Sequence, residues 1–324
     1  PARVWSSEVP PDCPFERSRD IVAVAFTRNA VAYTDADTWY PSWAADDNLY
    51  SPFTDGKVGD LQVSSYGPKA ATGSAAILGR DPLALRITNP SVWPGNPAPY
   101  GGRYPCGSLV HDGVWYYGTY CLADTDGDPS KGLNWDILGP FVGFRYSTDF
   151  GKTWTDTPHT PSRPLFGELS KPGGSVKIGV PHFVDFGRNM RHSPDGKAYL
   201  LAHGASDPDA KRQPANASWI TGDQIYLLRV KPSIANMNDP SKYEFFAGRD
   251  RNGAPQWTRD FSKIQPLIDW SNSCGNVSAT YVPDLKKYLM FITDGENTIS
   301  RFHTYILEAD QITGPWRLVA YMKN

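Results

Sequence analysis

The sequence predicts an all-β protein, most simply a β-propeller with five blades of four antiparallel strands. Three observations indicate this fold: short strand-like runs in place of helical periodicity, a hairpin pattern that occurs four times, and abundant turn residues. The chain has 29 glycines and 29 prolines, together 58 of its 324 residues, or about 18%. These two residues make up about 12% of average proteins. Such dense turns exclude a helix bundle, and 40% hydrophobic residues exclude a disordered chain because they suffice for a core.

The apolar residues form short β-rich runs that are bounded by Gly, Pro, Asn and Asp, the pattern typical of strands. Four hairpins share one layout of strand, tight polar turn and aromatic-rich strand; they span residues 37–56, 104–122, 181–204 and 276–295. Further strands lie between these hairpins, so a unit of about four strands recurs every ~65–95 residues. A four-stranded sheet repeated in this way is typical of a propeller, whose blades cover one another's faces. A β-sandwich, the alternative, explains the strands but not the recurring hairpin.

The four units lead us to interpret residues 1–324 as a single propeller domain. Residues 21–35 have the pattern of one extra strand, which would belong to a fifth blade shared between the two ends of the chain. A closed five-bladed ring would need another hairpin after the fourth unit. We therefore expect the closing C-terminal hairpin to be missing, or to be supplied by a second chain or fragment.

Charge and hydropathy argue against two classes of partner. The chain has 32 basic and 34 acidic residues and lacks the basic stripe that nucleic-acid binding requires. It also has no apolar stretch near the ~20 residues of a membrane helix.

The cysteines and glycosylation motifs favour a secreted protein. Four cysteines occur without a C-x-x-C pair, which disfavours a zinc or redox site. Cys106 and Cys121 flank a hairpin and could form a disulfide. Sequons at Asn216 and Asn276 are compatible with secretion, so we expect an extracellular location.

Residues 147–154, Ser-Thr-Asp-Phe-Gly-Lys-Thr-Trp, match the Asp-box pattern S-x-D-x-G-x-T-W at each defined position. The pattern predicts a hairpin turn in which Ser and Asp bind the backbone, Gly takes a special φ and Trp packs beneath. It resembles the boxes of sialidases and other sugar-active propellers, where the motif is structural.

Two further segments carry a resemblance to glycan-cleaving propellers. The tail 306–321, with its I-x-G-P-W-x-x-V pattern, resembles five-bladed glycosidases of the arabinanase and fructosidase type. The hairpin 37–56 resembles propeller enzymes that cut arabinan-like polysaccharides, including a group described as a domain of unknown function. The chain departs from the fructosidases because it lacks their W-M-N-D-P motif. The resemblance implies activity on a glycan and points to the blade that contains Asp37.

Propeller geometry predicts where polar residues converge. The innermost strand of a blade begins at one mouth of the central channel, and the next strand returns antiparallel to the same mouth. The four hairpins therefore bring four pairs to one rim: Asp37 with Asp55, Tyr104 with Tyr120, His182 with His203, and Asn276 with Asp294.

This convergence favours a secreted glycoside hydrolase that acts on a plant or microbial polysaccharide. Two carboxylates at one glycosidic bond suffice, one as acid and the other as base or nucleophile. We assign Asp37 and Asp55 to these roles and Asp294 to tuning a pKa or holding a hydroxyl. The substrate-binding candidates are Trp39, Arg103, Tyr104, Tyr120 and Asn276, with Trp39 stacking on a sugar face. The alternative is that the Asp-Gly pairs at 55–56 and 294–295 are simple turns.

A polysaccharide lyase is the rival interpretation. His182 and His203 can do acid–base work near neutral pH, Tyr104 or Tyr120 can complete the proton relay, and Arg103 or Lys177 can neutralise a uronate. Buried structural histidines are the alternative reading of this pair. A non-catalytic glycan-binding propeller is the third possibility, and the carboxylates at the mouth argue against it.

One loop is a candidate cation site, although the proposed reactions need no cofactor. Asp124, Asp126 and Asp128 alternate around Gly127 and could bind Ca²⁺ through hard oxygen ligands. The loop lacks the distal Glu of an EF-hand. A solvated acidic turn is the alternative.

Overall fold

The fold is known from a computed structural model that describes residues 2–5, 8–65, 71–94, 103–123, 137–160, 162–168, 176–204, 222–294 and 302–323. Antiparallel sheets in a propeller arrangement make up nearly all of its regular structure, which confirms the all-β prediction. The longest helix in these ranges is the single turn α1, Ile234–Met237. None of the described helices is long and apolar enough to span a membrane.

The chain begins with a two-stranded ribbon and then builds the first two blades. The ribbon is β1 (Arg3–Trp5) with β2 (Val24–Phe26). Blade 1 is β3 (Ser42–Trp43), β4 (Leu49–Phe53), β7 (Ala71–Leu78) and β8 (Arg86–Pro94), with a side ribbon of β5 (Gly56–Val58) and β6 (Leu61–Val63). Blade 2 is β9 (Arg103–His111), β10 (Val114–Ala123) and β11 (Ile137–Ser147).

Blades 3 and 4 follow in the same inner-to-outer order. Blade 3 is β12 (His182–Phe183), β13 (Ala198–Gly204), β14 (Gly222–Val230), β15 (Glu244–Arg249) and β16 (Pro255–Thr258), with β17 (Pro266–Cys274) also paired to β14. Blade 4 is β18 (Val277–Val282), β19 (Lys287–Asp294), β20 (His303–Ala309) and β21 (Arg317–Met322).

The number of blades corrects the prediction of five. Four sheets form blades in the described part of the chain, one for each predicted hairpin. Residues 21–35, which we expected to start a fifth blade, contribute only β2, which pairs with β1. The physical reason is that the apolar side chains of Ile21 and Val24 are partly buried against β20 and β21 of blade 4. The ribbon is thus an attachment to that blade, and Trp5 Nε1 donates to the Tyr321 carbonyl at 3.3 Å.

The inner strands hold adjacent blades together. Ser42 Oγ of blade 1 accepts from Val110 N of blade 2 at 2.8 Å, and Gly107 N donates to the Pro181 carbonyl beside blade 3 at 2.8 Å. A Cβ atom at Gly107 would lie 2.7 Å from that carbonyl oxygen, so only glycine permits this approach. Asp185 beside β12 exchanges backbone hydrogen bonds with β18 of blade 4.

Buried aromatic residues fill the spaces between the blades. Tyr50 of blade 1 packs on Trp115 of blade 2, with ring centroids 5.4 Å apart. A larger apolar cluster joins blades 2, 3 and 4 and includes Phe144, Tyr226 and Tyr305. The many aromatic residues of the sequence therefore pack mainly between blades.

The turn 147–154 has the contacts expected from its sequence. Ser147 Oγ accepts from Gly151 N at 2.8 Å, and Asp149 accepts from both the backbone N and the hydroxyl of Thr153 at 2.9 and 2.6 Å. Gly151 has a φ of 88°, and the Trp154 ring lies 5.0 Å from that of Trp115. The turn therefore locks the outer edge of blade 2 onto the core.

The predicted disulfide between Cys106 and Cys121 is wrong. The pairing of β9 with β10 sets Cys121 opposite Arg103, and Cys106 is a buried free thiol. Cys106 lies instead against Gly118, where a Cβ atom would be 2.8 Å from its sulfur. An irregularity between Tyr117 and Thr119 shifts the register, which contributes to separating the two cysteines.

Candidate active site

The strand pairing brings the members of each predicted pair to the same end of their blade, which we call the mouth. Asp37 and Thr54 exchange backbone hydrogen bonds of 2.8 and 3.0 Å, so Asp55 follows directly. Tyr104 lies opposite Tyr120. His182 pairs with Leu201, two residues before His203, and the Asn276 carbonyl accepts from Thr293 N beside Asp294 at 2.9 Å.

Asp37 and Asp55 form an accessible carboxyl pair on blade 1. Asp37 is exposed and Asp55 half-buried. Partial enclosure by protein, followed by the negative charge of Asp55, raises the pKa of Asp37 to about 6, against the opposing hydrogen bond of Thr38. An acid with a pKa of about 6 is protonated in a large fraction of molecules in mildly acidic solution, which suits it to donate a proton.

The local backbone holds this pair in an unusual conformation. Thr38 and Asp55 have φ values of 58° and 49°, in the left-handed region that non-glycine residues seldom adopt. Ser65 fixes the Asp55 carboxylate by donating from its N at 2.8 Å and from its hydroxyl at 2.6 Å. Strained residues held by several contacts are common at functional sites.

Trp39 belongs partly to the core of blade 1. Its ring stacks on Phe53 with centroids 5.1 Å apart, and its Nε1 donates to the Ala36 carbonyl at 2.9 Å. The side chain remains half-buried. One ring face therefore supports the fold, and stacking on a sugar remains a prediction for the part that is exposed.

A buried polar cluster lies where blades 1, 3 and 4 meet. The Tyr40 ring lies 4.4 Å from the ring of His182, and the Asn276 side chain lies close enough to both to affect their pKa values. Burial, and secondarily the charge of His203, lowers the pKa of His182 to about 3. Burial also raises the pKa of Tyr40. His182 is therefore neutral at ordinary pH.

The remaining aromatic and basic candidates lie on blade 2 and on the segment that precedes blade 3. The Tyr104 and Tyr120 rings are 5.5 Å apart; Tyr120 is buried, which raises its pKa, and Tyr104 is half-buried. Arg103 begins β9. Lys177 donates its backbone N to Glu168.

Asp294 is buried in the wall between blades 3 and 4. Burial is the main cause of the raised pKa values of the Cys274 thiol and the Tyr305 hydroxyl. The nearby charge of Asp294 raises both pKa values further. Its cross-strand neighbour is His303. The carboxylate charge that acts on Asp37 is that of Asp55, so Asp294 lies in a different environment from the blade 1 pair.

The predicted Ca²⁺ ligands Asp124, Asp126 and Asp128 lie outside the described residues. Among the residues that are described, no group of three or more His, Cys, Asp or Glu side chains could hold a metal ion.

Three residues of the site were missed by sequence reasoning. Tyr40 is one of many aromatic residues in its hairpin, and only its place on the inner strand distinguishes it. Ser65 and Glu168 lie in segments without a strand pattern. Glu168 accepts hydrogen bonds from Lys177 N and Ile178 N at 2.9 and 2.8 Å. These bonds fix the chain beside the mouth end of β13, where a Cβ atom on Gly204 would lie 2.8 Å from the Lys177 carbonyl oxygen.

Comparisons with known proteins gave similarity to solved structures alone. No protein-family model and no curated protein matches the chain. A family 117 glycoside hydrolase of the marine bacterium Zobellia galactanivorans is 9% identical over 99% of this chain and 76% of its own, with a TM-score of 0.49. An α-L-arabinofuranosidase of Podospora anserina is 10% identical over 96% of this chain and 74% of its own, with a TM-score of 0.44.

An endo-1,5-α-L-arabinanase of Thermotoga petrophila is 12% identical over 94% of this chain and 56% of its own, with a TM-score of 0.41. Similarity at this level assigns the chain neither to a family nor to a substrate. The chemistry of the site is therefore argued from its own residues.

Proposed function

We propose that this protein is a glycoside hydrolase that cleaves a polysaccharide with the Asp37–Asp55 pair at the mouth of the propeller. The observation that carries the proposal is the environment of Asp37. Asp37 is an exposed residue whose carboxyl group is partly enclosed and lies within the electrostatic influence of Asp55, and its pKa is raised to about 6. Acid-assisted glycosidic hydrolysis requires a carboxyl group that can donate a proton and a second carboxyl group that acts as base or nucleophile.

In the proposed reaction Asp37 is the general acid. It donates its proton to the glycosidic oxygen as the bond between that oxygen and the anomeric carbon breaks. Asp55 acts from the other side, either by taking a proton from the attacking water or by attacking the anomeric carbon before water releases the sugar. In both cases one water molecule is consumed. In the first route Asp55 releases the proton it took from water and Asp37 regains one through the solvent; in the second, Asp37 regains its proton from the water that releases the sugar from Asp55.

Neighbouring residues support these two roles. Ser65 fixes both oxygens of Asp55 with hydrogen bonds of 2.8 and 2.6 Å, and a fixed carboxylate needs little reorganisation during the reaction. Tyr40 packs against buried His182 beneath the mouth, with ring centroids 4.4 Å apart. Tyr104 and Trp39 are half-buried and can contact sugar rings there.

Hydrolysis is preferred to lyase chemistry because of the burial of the histidines. His182 and His203 are 4% and 1% exposed, so a uronate could not approach either ring without rearrangement of the core. The low pKa of His182 also makes it a weak base for abstracting a proton next to a carboxylate.

The proposal is tested on a panel of neutral and acidic polysaccharides. We expect new reducing ends from at least one substrate, without the ultraviolet absorbance of an unsaturated uronate. Asp37→Asn and Asp55→Asn should abolish that release, and Asp60→Asn, an exposed aspartate of the nearby β5–β6 turn, should preserve it. Unsaturated products, or full activity in both Asp37→Asn and Asp55→Asn, would contradict the proposal.

A further inference from the structure

A cleft of about 520 Å³ lies between blade 1 and the segment that joins β12 to β13 of blade 3. It is on the face of the propeller opposite the mouth, because the turn between β3 and β4 forms one wall. Its apolar floor includes Leu49 and Leu85, and its polar residues are Trp43, Asp47, Arg80, Arg188 and Arg191. The volume is within the ~300–1,000 Å³ of small-molecule sites.

The cleft carries more positive than negative charge. Three guanidinium groups line it, and Asp47 is the one carboxylate among its lining residues. Asp47 binds Arg80 at 2.6 Å and Arg188 at 3.5 Å. Three positive charges against one negative charge leave an excess of two positive charges among the lining residues. Such a local excess attracts anions.

Arg191 is the guanidinium best placed for an incoming anion. Among the described residues its polar contact is a hydrogen bond donated from Nε to His192 Nε2 at 2.9 Å, which leaves its terminal nitrogens for a ligand. Arg188 keeps 42% of its side chain exposed despite its long contact with Asp47. Guanidinium groups bind carboxylate and sulfate groups through paired, planar hydrogen bonds.

The segment that presents these arginines is held in a strained conformation. Asn189 and Met190 have φ values of 52° and 58°, and a bulky residue in that region is unusual. Two hydrogen bonds between Asn189 and Asp112, of 2.9 and 3.0 Å, and the burial of Met190 keep the segment in place. Arg188 and Arg191 are therefore preorganised on either side of the two residues that anchor the segment.

Trp43 adds an aromatic surface to this cationic cleft. Its Nε1 donates to Asp47 at 3.1 Å, which orients the ring, and the Arg191 guanidinium lies 5.9 Å from the ring centroid. The side chain is half-buried. A fixed aromatic ring beside an apolar floor can pack against the apolar face of a sugar.

We propose that this cleft binds a segment of an acidic polysaccharide, with its carboxylate or sulfate groups on Arg188 and Arg191 and a sugar ring on Trp43. This binding site goes beyond the proposed hydrolysis, because it lies on the opposite face and takes no part in bond cleavage. Nucleic acid is a poorer fit, since three arginines neutralise too few phosphates for strong binding.

Calorimetric titration with defined oligosaccharides tests the proposal. The probes are tetragalacturonate, a sulfated galactan tetrasaccharide and neutral galactotetraose. We expect one or both acidic probes to bind at least tenfold more tightly than the neutral one, with affinity that falls as salt rises. The tighter acidic probe identifies whether carboxylate or sulfate is the recognised group.

Substitutions in the cleft and at a distant surface test whether the acidic oligosaccharides bind in this cleft. Arg188→Gln with Arg191→Gln should weaken acidic binding at least tenfold, and Arg191→Lys, which keeps the charge but loses the planar fork, should weaken it less. Arg251→Gln with Arg259→Gln, at two exposed turn positions of blade 3, is the matched control and should bind within twofold of wild type.

Several outcomes would overturn the proposal. These are equal binding of the neutral and acidic probes, unchanged binding by the Arg188→Gln/Arg191→Gln protein, and tighter binding of a single-stranded DNA tetranucleotide than of either acidic glycan. Asp37→Asn should bind the acidic probe as wild type does at this cleft, so loss of turnover and loss of binding report on the two sites separately.

Discussion

The Asp37–Asp55 pair and the His182–His203 pair occupy equivalent places in blades 1 and 3 but differ in their environment. Each pair joins the start of an inner strand to the end of the next strand. Asp37 is exposed and Asp55 half-buried, and the pKa of Asp37 is raised to about 6. The histidines are buried, and the pKa of His182 is lowered to about 3. Topology thus places the residues, whereas burial decides which pair can exchange protons with a substrate.

The difference arises from what covers each pair. His182 is enclosed by Tyr40 of blade 1 and by Asn276 beside blade 4. The chain that follows Asp55 instead turns away into the β5–β6 ribbon and returns at Ser65 to hold Asp55 by its side. Among the described residues of blade 1, the chain that follows Asp55 therefore does not enclose Asp37 as His182 is enclosed.

The largest expected effect is on turnover by the carboxyl pair. Asp37→Asn removes the proton donor, and kcat should fall about 10³-fold because general acid catalysis contributes about 10²–10⁴-fold. Initial rates of reducing-end release on the polysaccharide that wild type cleaves best measure this loss. The kcat of Asp60→Asn should stay within twofold of the wild-type value. A loss in that control comparable to the loss in Asp37→Asn would contradict a specific catalytic role for Asp37.

The second prediction concerns the stability of the buried pair in acid. Neutral His182 stabilises the fold fully above its ordinary pKa of 6.5, and this contribution is lost as pH falls from 6.5 towards 3. Wild type should lose about 3 kcal/mol of unfolding free energy through this group between pH 6.5 and 4. Urea unfolding at several pH values measures the loss.

His182→Gln should show a smaller loss of stability over the same pH range, because glutamine does not titrate there. His192→Gln, a change at a half-buried histidine outside the cluster, is the control and should keep the wild-type pH dependence. An unchanged pH dependence in His182→Gln would show that the buried pair does not govern acid stability.

The third prediction concerns the support of Asp55. Ser65→Ala removes the hydroxyl donor at 2.6 Å and keeps the backbone donor. One hydrogen bond to a charged group is worth about 1.5 kcal/mol, so kcat should fall about tenfold with little change in KM. The alkaline limb of the pH–rate profile should remain near pH 6, because the Asp55 charge is retained. A large rise in KM instead would assign Ser65 to substrate binding.

The smallest expected effect is a gain in stability from Asp37→Asn. Because the folded-state pKa of Asp37 is raised above its ordinary value of 3.8 to about 6, protonated Asp37 favours the fold at low pH, and this advantage is lost as pH rises through 6. Replacing the charged side chain should raise Tm at pH 7 by about 1–2 °C, a small effect because exposed charges are screened. The gain should disappear at pH 4, as thermal unfolding at both values can check.

Much of the architecture could be predicted from the sequence. Period-two runs and repeated turns predict strands and hairpins, and antiparallel pairing then sets Tyr104 opposite Tyr120. The number of blades could not be predicted, because the apolar residues of 21–35 suit an inner strand and an attachment to blade 4 equally well. The cysteine pairing failed for a different reason: the turn that pairs His111 with Val114 already sets Cys121 two residues beyond the position opposite Cys106, and the irregularity adds one more.

The environment of the candidate site was less accessible to sequence reasoning. His182 and Asp37 are both polar residues at the start of an inner strand, and only three-dimensional packing distinguishes the buried one from the exposed one. Ser65 acts on Asp55 across ten residues of chain, and Arg80 meets Asp47 across thirty-three. Such contacts depend on tertiary packing, which hydrophobic periodicity does not encode.

Partial enclosure and the charge of Asp55 raise the pKa of Asp37 so that its carboxyl group can donate a proton near pH 6. A titration of the ¹³C-labelled aspartate carboxyl carbons by nuclear magnetic resonance tests it directly, with Asp37→Asn assigning the signal. We predict an apparent pKa of about 6 for Asp37 in the wild-type protein and a lower pKa in Asp55→Asn. A wild-type pKa near 3.8 that is unchanged in Asp55→Asn would contradict the account.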